Sequence, residues 1–374
     1  MSEAIEIASG AHHRRSCPLT IPWKSSKPQS VRLVGMNCDI AGQIVTIDDE
    51  SNLQFVLPES RADETVQLQV EKVSGVTTGV EIKRYDDHIE LHSNDRLVTS
   101  YWMNGPARPY FYPLIGPDGV SLTRHYPMRR DAPGEVHDHP HHRSLYCAYG
   151  DVNGVDNWSE ESGHGFTRHQ HLERIEEGPV YGGFAAIADW TDAEGKPLLQ
   201  ERLAVGLWST GEEWVLLDFD VQLKAIYGAA HFGDTKEGGI VAIRVATSMD
   251  VDHGGRIENC YGGINEAETW GKAAHWCDYS GIVDGRHGGI AVMDHPLSFR
   301  YPTHWHVRNY GLMAANPFAY SAYTNGLKDG SVRLQHGKVL EFHYRILLHR
   351  GDAQRGGVRE QYLNYVSSPS VRIV

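Results

Sequence analysis

Seven consecutive residues, His137-Asp138-His139-Pro140-His141-His142-Arg143, carry four imidazoles and a carboxylate. Imidazole titrates near neutral pH and ligates Zn, Mn, Fe or Ni, so this cluster suits proton transfer or one divalent transition metal. Pro140 biases His139 toward an extended backbone. In an extended segment alternate side chains share a side, so His137, His139 and His141 are expected to converge, with Asp138 and His142 pointing elsewhere. The candidate metal ligands are His139, His141 and His142. Their spacing follows no tight zinc rule, so a metal-free role in hydrogen bonding a substrate competes with ligation.

A second cluster is His304-Trp305-His306-Val307-Arg308. Its alternation puts the histidines and Arg308 on one side of a strand and Trp305 with Val307 on the other. Turn-like sequence supplies further polar groups. Gly150–Trp158 offers Asp151 and Trp158 without the spacing or terminal Glu of an EF-hand. Asp234 and Glu237 flank Lys236, and Trp276-Cys277-Asp278-Tyr279 joins an aromatic face to an acid and a phenol. Flat apolar faces beside directional hydrogen-bonding groups are what a sugar ring requires. Solvated turns and core packing account for these side chains equally well when each is taken alone.

Other chemistries are missing from the text. There is no G-x-G-x-x-G after a strand, P-loop, G-x-S-x-G or H-E-x-x-H, which argues against a nucleotide cofactor and a serine-hydrolase elbow.

The elements that must position these residues read as strands. Val31–Val34, Gln43–Ile47, Leu53–Leu57 and Val66–Val70 recur about every ten residues, as in an antiparallel sandwich. In Trp214–Lys224, apolar Val215, Leu217, Phe219, Val221 and Leu223 alternate with polar residues, and Leu340–Leu348 repeats the pattern. Such period-two alternation favours antiparallel sheet. Helical signal is confined to a stretch around Glu266–Trp276 and to Val358, Tyr362 and Val366. The expected fold is all-β: a large antiparallel β-sandwich over 101–374, a smaller β-rich part over 31–100, and a loosely held arm over 1–30.

At 374 residues the chain exceeds what one compact core usually holds. A net charge of −13 argues against nucleic acid as a partner, and no apolar run is long enough for a membrane helix. Five widely spaced cysteines, and a start without a secretory pattern, suggest a cytoplasmic protein. Nothing in the pattern speaks to oligomeric state.

The chain resembles the bacterial PmoA family, whose label is borrowed from a methane oxygenase subunit. The matching text includes Arg108–Leu114, Asp138–Leu145, Gly150–Gly154, Asp234–Gly238, Trp276–Gly281 and Trp305–Phe318, roughly residues 100–350. The borrowed label does not transfer, because that subunit is membrane-embedded. The resemblance implies a galactose mutarotase-like supersandwich and a role in carbohydrate catabolism, with a small carbohydrate as partner.

Under that implication, the expected activity is elimination or hydrolysis of an oxidised (3-keto) glycoside. His139 or His306 would take the proton beside the ketone. Either a metal on His139, His141 and His142 or the guanidinium groups of Arg143 and Arg308 would stabilise the enolate. Tyr279 or a spare histidine would protonate the leaving oxygen, with Asp278 orienting an imidazole. Arg143, Asp151, Trp158, Asp234, Glu237, Trp276, Arg308 and Asn316 are the candidate substrate-binding residues. Two alternatives stand beside it: a metal-free aldose epimerase with a His acid and Glu237 or Asp278 as base, and a non-catalytic carbohydrate-binding protein.

Overall fold

The structure, a computed structural model, describes residues 3–24, 29–36, 38–47, 50–73 and 79–374. It is built from antiparallel strands, as the period-two pattern requires. Two eight-stranded sheets enclose the main core. One runs in the order Phe166–Glu176, Tyr181–Thr191, Pro197–Trp208, Trp214–Lys224, Val339–Arg350, Arg286–Asp294, Trp276–Val283 and Arg256–Asn259. The other, called here the site sheet, runs Trp305–Val307, Leu312–Ala315, Gly238–Arg244, Leu145–Tyr149, Tyr110–Phe111, Arg96–Trp102, His88–Ser93 and Val80–Arg84. Leu217, Phe219, Val221, Phe342 and Ile346 from the first meet Leu145, Ile243, Trp305 and Met313 from the second in one buried cluster. The alternation in Trp214–Lys224 holds, although Asp218, Asp220 and Gln222 opposite are half-buried.

A third, seven-stranded sheet has its own core around Ile5, Leu19, Leu33, Phe55 and Leu57. The expected arm over residues 1–30 is corrected here: Glu3–Ala8 and Arg14–Pro22 are strands of this sheet. The arm reading rested on a mixture of Ser, His, Arg and Pro without periodicity, and Arg14 shows what that mixture hides. It is buried, and its guanidinium donates to the carbonyls of Ser9 and Leu363. Residues 1–2 and 25–28 of that expected arm lie outside the described residues. The last strand, Ser370–Ile373, returns to pair with Glu3–Ala8, so the two chain ends close the same sheet. Thr65–Lys72 belongs to the third sheet and Val80–Arg84 to the site sheet, so the boundary falls earlier than the one expected near 100.

Helix is scarce. Asn265–Thr269 is shorter than the expected stretch to Trp276, and Tyr320–Tyr323 was not anticipated. Val358–Val366 fits the expected C-terminal helix and lays Val358 and Tyr362 over Trp276 and Met293 on the outside of the first sheet. No helix among the described residues is long and apolar enough to cross a membrane.

Candidate functional site

The site is built on the face of the site sheet turned away from the main core. Trp305, Val307, Met313, Val241, Ile243, Leu145 and Cys147 point into that core. Their alternates must point the other way. Register lines these up in a row: His306 opposite Ala314, Ala314 opposite Ala242, and Ala242 opposite Tyr146. The small side chains of Ala148, Ala242 and Ala314 leave room for a layer of rings, filled by Tyr146 and Trp158 with Tyr110 and Tyr310 at its margin.

Above this layer lies the histidine segment, which is not extended. His139 has φ +40° and Ser144 φ +57°, left-handed conformations that turn the chain back on itself. Arg124, buried beneath, draws the turn together by donating to the carbonyls of Val136 (3.2 Å), His139 (3.0 Å) and His142 (3.4 Å). The predicted convergence of His137, His139 and His141 is therefore corrected. His137 leaves to stack on Tyr126, whereas His142 joins His139 and His141.

His139 sits in a stack, 4.9 Å from the rings of both His142 and Tyr310 and within about 10° of parallel to each. Its Nδ1 lies 3.0 Å from Oδ2 of Asp138. Asp138 in turn accepts from Arg244 Nη2 at 2.8 Å and from Arg124. Burial alone would raise this carboxyl, but the bond from His139 and the charges of Arg244 and Arg124 hold it well below the usual carboxylate range. The result is an oriented Asp–His pair. Among the described residues His139 Nε2 has no partner.

Burial disfavours the charged form of the neighbouring imidazoles. Burial, reinforced by Arg108 and His139, pushes His141 down to about 4 against the opposing pull of Glu160 and Glu237. Burial and the charges of His141, Arg244 and His139 drive His142 well below its ordinary value. His142 Nδ1 lies 3.3 Å from Arg244 Nη1, and a guanidinium only donates, so the His142 proton belongs on Nε2. His306 is also depressed to about 4, chiefly by burial, with Glu237 opposing and Lys236 and Arg308 assisting.

Cations crowd the same place. Arg108 is buried and donates to the carbonyls of Asn157 (2.9 Å) and Trp158 (2.8 Å). Arg143 grips Glu160 with two bonds of 3.0 and 2.7 Å. Arg308 pairs with Glu266 at 3.0 Å, and both Arg244 and Arg308 lie over the Tyr310 ring. Such surroundings favour a developing oxyanion. They suit a bare cation less well. The His139 and His142 rings lie 4.9 Å apart and 7° from parallel. Among the described residues no group of three or more His, Cys, Asp or Glu side chains is arranged to hold a metal.

The sequence candidates divide accordingly. His139, His141, His142, Arg143 and Trp158 come together, with Trp158 edge-on to His141 and His142. Glu237 lies within electrostatic reach of His141, His306 and Tyr310, and Arg308 joins through the Tyr310 ring. Three others lie elsewhere. Trp276 is packed under the C-terminal helix. Asp278 is sealed against His349, Oδ2 to Nε2 at 2.7 Å. Tyr279, the expected proton donor, gives its hydroxyl to the Asn309 carbonyl (2.7 Å) and accepts from Val251 N, bracing the turn that carries Arg308 and Tyr310. Asp278 and Tyr279 are thus corrected from catalytic to structural positions, because strand alternation turns one outward under the helix and the other into the core. Asn316 braces from behind, donating to the carbonyls of Thr235 and Lys236 just before Glu237. Asp151 accepts from Gly154 N within its own turn.

Sequence reasoning missed Arg124, Arg244, Tyr310 and Glu160. A signal existed for the face itself: alanines at 148, 242 and 314 alternate with core-facing residues.

A large antiparallel β-sandwich carrying an Asp–His pair and further imidazoles among arginines on one sheet face defines the class of protein. The chain belongs to a family of unknown function, DUF6807, whose pattern matches residues 88–362 and so spans the site and both large sheets except the edge strand Val80–Arg84. No curated protein matches the sequence.

Proposed function

We propose that this chain is an enzyme of carbohydrate catabolism that eliminates the aglycone of an oxidised, 3-keto glycoside. The observation carrying this reading is the Asp138–His139 pair, with Nδ1 held by the carboxylate and Nε2 without a partner among the described residues, while Arg244 binds Asp138 and Arg308 lies over the Tyr310 ring on which His139 stacks. A carboxylate on one imidazole nitrogen orients the ring and raises the basicity of the other.

In the chemistry proposed, Nε2 takes the proton from the carbon between the ketone and the anomeric centre. The electron pair moves onto the ketone oxygen, where guanidinium donors stabilise the enolate. As the carbonyl re-forms, a carbon–carbon double bond forms to the anomeric carbon and the bond to the aglycone oxygen breaks. That oxygen takes the proton His139 had accepted, which returns the imidazole to its starting form. Adding water to the unsaturated product completes a net hydrolysis. The galactose mutarotase-like resemblance supports a sugar as the reacting ring, and the five unpaired cysteines support the cytoplasm as the compartment.

A metal-assisted version would place the ion on His139, His141 and His142. Elemental analysis of untagged protein tests it: about one transition metal per chain, lost in His139→Ala, would favour it. Epimerisation draws support from Glu237, whose charge reaches His306. The readings separate in one assay. Elimination gives an unsaturated product from a 3-keto-glucoside alone, whereas an epimerase speeds anomer interconversion of unoxidised glucose. Saturable binding with neither reaction would overturn both.

A further inference from the structure

Beyond His306, at the edge of the site sheet, four side chains form a group that no step above uses. The edge strand Trp305–Val307 is bordered by the segment after Thr269: Gly271 N donates to the Trp305 carbonyl (2.8 Å) and Trp305 N to that of Lys272 (3.2 Å). This border carries Trp270 to the edge. Gly271 has φ +68°, and a Cβ there would fall 2.7 Å from the Tyr323 ring, so glycine permits the close approach. Tyr323 meets Trp270 edge-on at 5.2 Å and lies parallel to His304 at 5.6 Å. Asp234 pins the helix bearing Tyr323 by accepting from Ser321 N and Gly330 N through Oδ2.

Each of these residues keeps a buried polar atom without a hydrogen-bond partner: Trp270 Nε1, Tyr323 Oη, His304 Nδ1 and Asp234 Oδ1. Unmet buried groups are destabilising, and a run of them in one contact group calls for a molecule that supplies the missing bonds. The set comprises one donor only (Trp270), one acceptor when ionised (Asp234) and two groups able to do either. Adjacent hydroxyls, which both donate and accept, match that mixture, and aromatic rings beside them match the C–H face of a sugar. The group also adjoins the reacting site, since Tyr323 feels the charge of Glu237, as do His306 and His141.

We propose that Trp270, His304, Tyr323 and Asp234 form a second carbohydrate subsite, which binds a sugar ring on the far side of the bond that His139 breaks. The substrate class is then a disaccharide or longer glycoside. The inference rests on the function proposed above for the link to bond cleavage, but the subsite makes its own binding prediction.

The test titrates the full chain calorimetrically with glucose, cellobiose, maltose and trehalose, none of which carries the ketone. At least one disaccharide is expected to bind about tenfold tighter than glucose, as a second stacked and hydrogen-bonded ring would allow. Trp270→Ala should abolish that preference, and the near-isosteric Tyr323→Phe should weaken it severalfold, guarding against a misfolded alanine variant. His139→Ala should leave it unchanged. Equal binding of glucose and all disaccharides, no binding of any, or a preference untouched by both subsite variants would overturn the subsite and leave water as the occupant. The two proposals fail separately. His139-dependent turnover of a methyl 3-keto-glucoside without a disaccharide preference removes only the subsite. A Trp270-dependent preference without turnover of any 3-keto-glycoside removes only the reaction.

Discussion

Two of the histidine–aspartate pairs among the described residues, His349–Asp278 and His139–Asp138, differ in what surrounds them. His349 and Asp278 are 0% and 1% exposed, and both ring nitrogens are engaged, Nε2 by Asp278 and Nδ1 by the Arg350 carbonyl at 3.3 Å. The packing around His349 is so close that a Cβ on Gly356 would lie 2.2 Å from its Nδ1. His139, by contrast, has a side chain 41% exposed, one nitrogen held by Asp138, the other unpartnered, and its backbone at φ +40°. A strained backbone held by surrounding bonds is a common mark of a working residue. Under the proposed function, the same two chemical groups brace one sheet and equip the other for proton transfer, and access to the second nitrogen makes the difference.

Substitution should separate the pairs. The largest expected effect is on rate: His139→Ala should cost about a thousandfold in kcat for a 3-keto-glycoside, within the range for a lost general base. Its urea midpoint should stay near the parent value. At the sealed pair, His349→Ala should instead cost about 3 kcal/mol or more of stability, because it strands a buried acid, and should lower rate only as folded protein is lost. Urea unfolding followed by tryptophan fluorescence reads both. Asp138→Asn should be milder, at about a hundredfold in kcat, since the ring loses its charged partner and keeps its place.

The smallest effect is in pH dependence. His306, depressed to about 4 when folded and near 6.5 when unfolded, adds stability above pH 6.5 that is lost as pH falls toward 4. Glu201, buried in the main core and raised to about 7, acts oppositely: its stability is present below about 4.5 and lost as pH rises toward 7. Unfolding free energies of His306→Gln and Glu201→Gln, each measured against the parent from pH 4.5 to 7, should diverge with opposite slopes. Parallel lines would contradict the burial assigned to both.

Much of the sandwich was legible in the sequence because strands such as Trp214–Lys224 and Val339–Arg350 bury one side fully, and burial imposes period two. Legibility failed where a long-range partner overrides a local rule. Pro140 argues for an extended His139, yet the bonds from Arg124 to three carbonyls of the segment fold it into a turn. Nothing in the local pattern marks Arg14 as buried until its backbone acceptors are known. The histidines announced themselves by density. Arg244 and Tyr310 did not, because strand register brings them to Asp138 and His139 from more than a hundred residues away. Asp278 and Tyr279 misled for the reverse reason, as polar residues whose partners are all structural.

The central claim is that His139 takes a proton from carbon beside a ketone. A 3-ketoglucose lacking any leaving group, incubated with the protein in D2O and followed by proton NMR, isolates that step. The account predicts deuterium at the carbon next to the ketone with the parent protein and none above background with His139→Ala. Absence of exchange with the parent, or undiminished exchange in the variant, would contradict it.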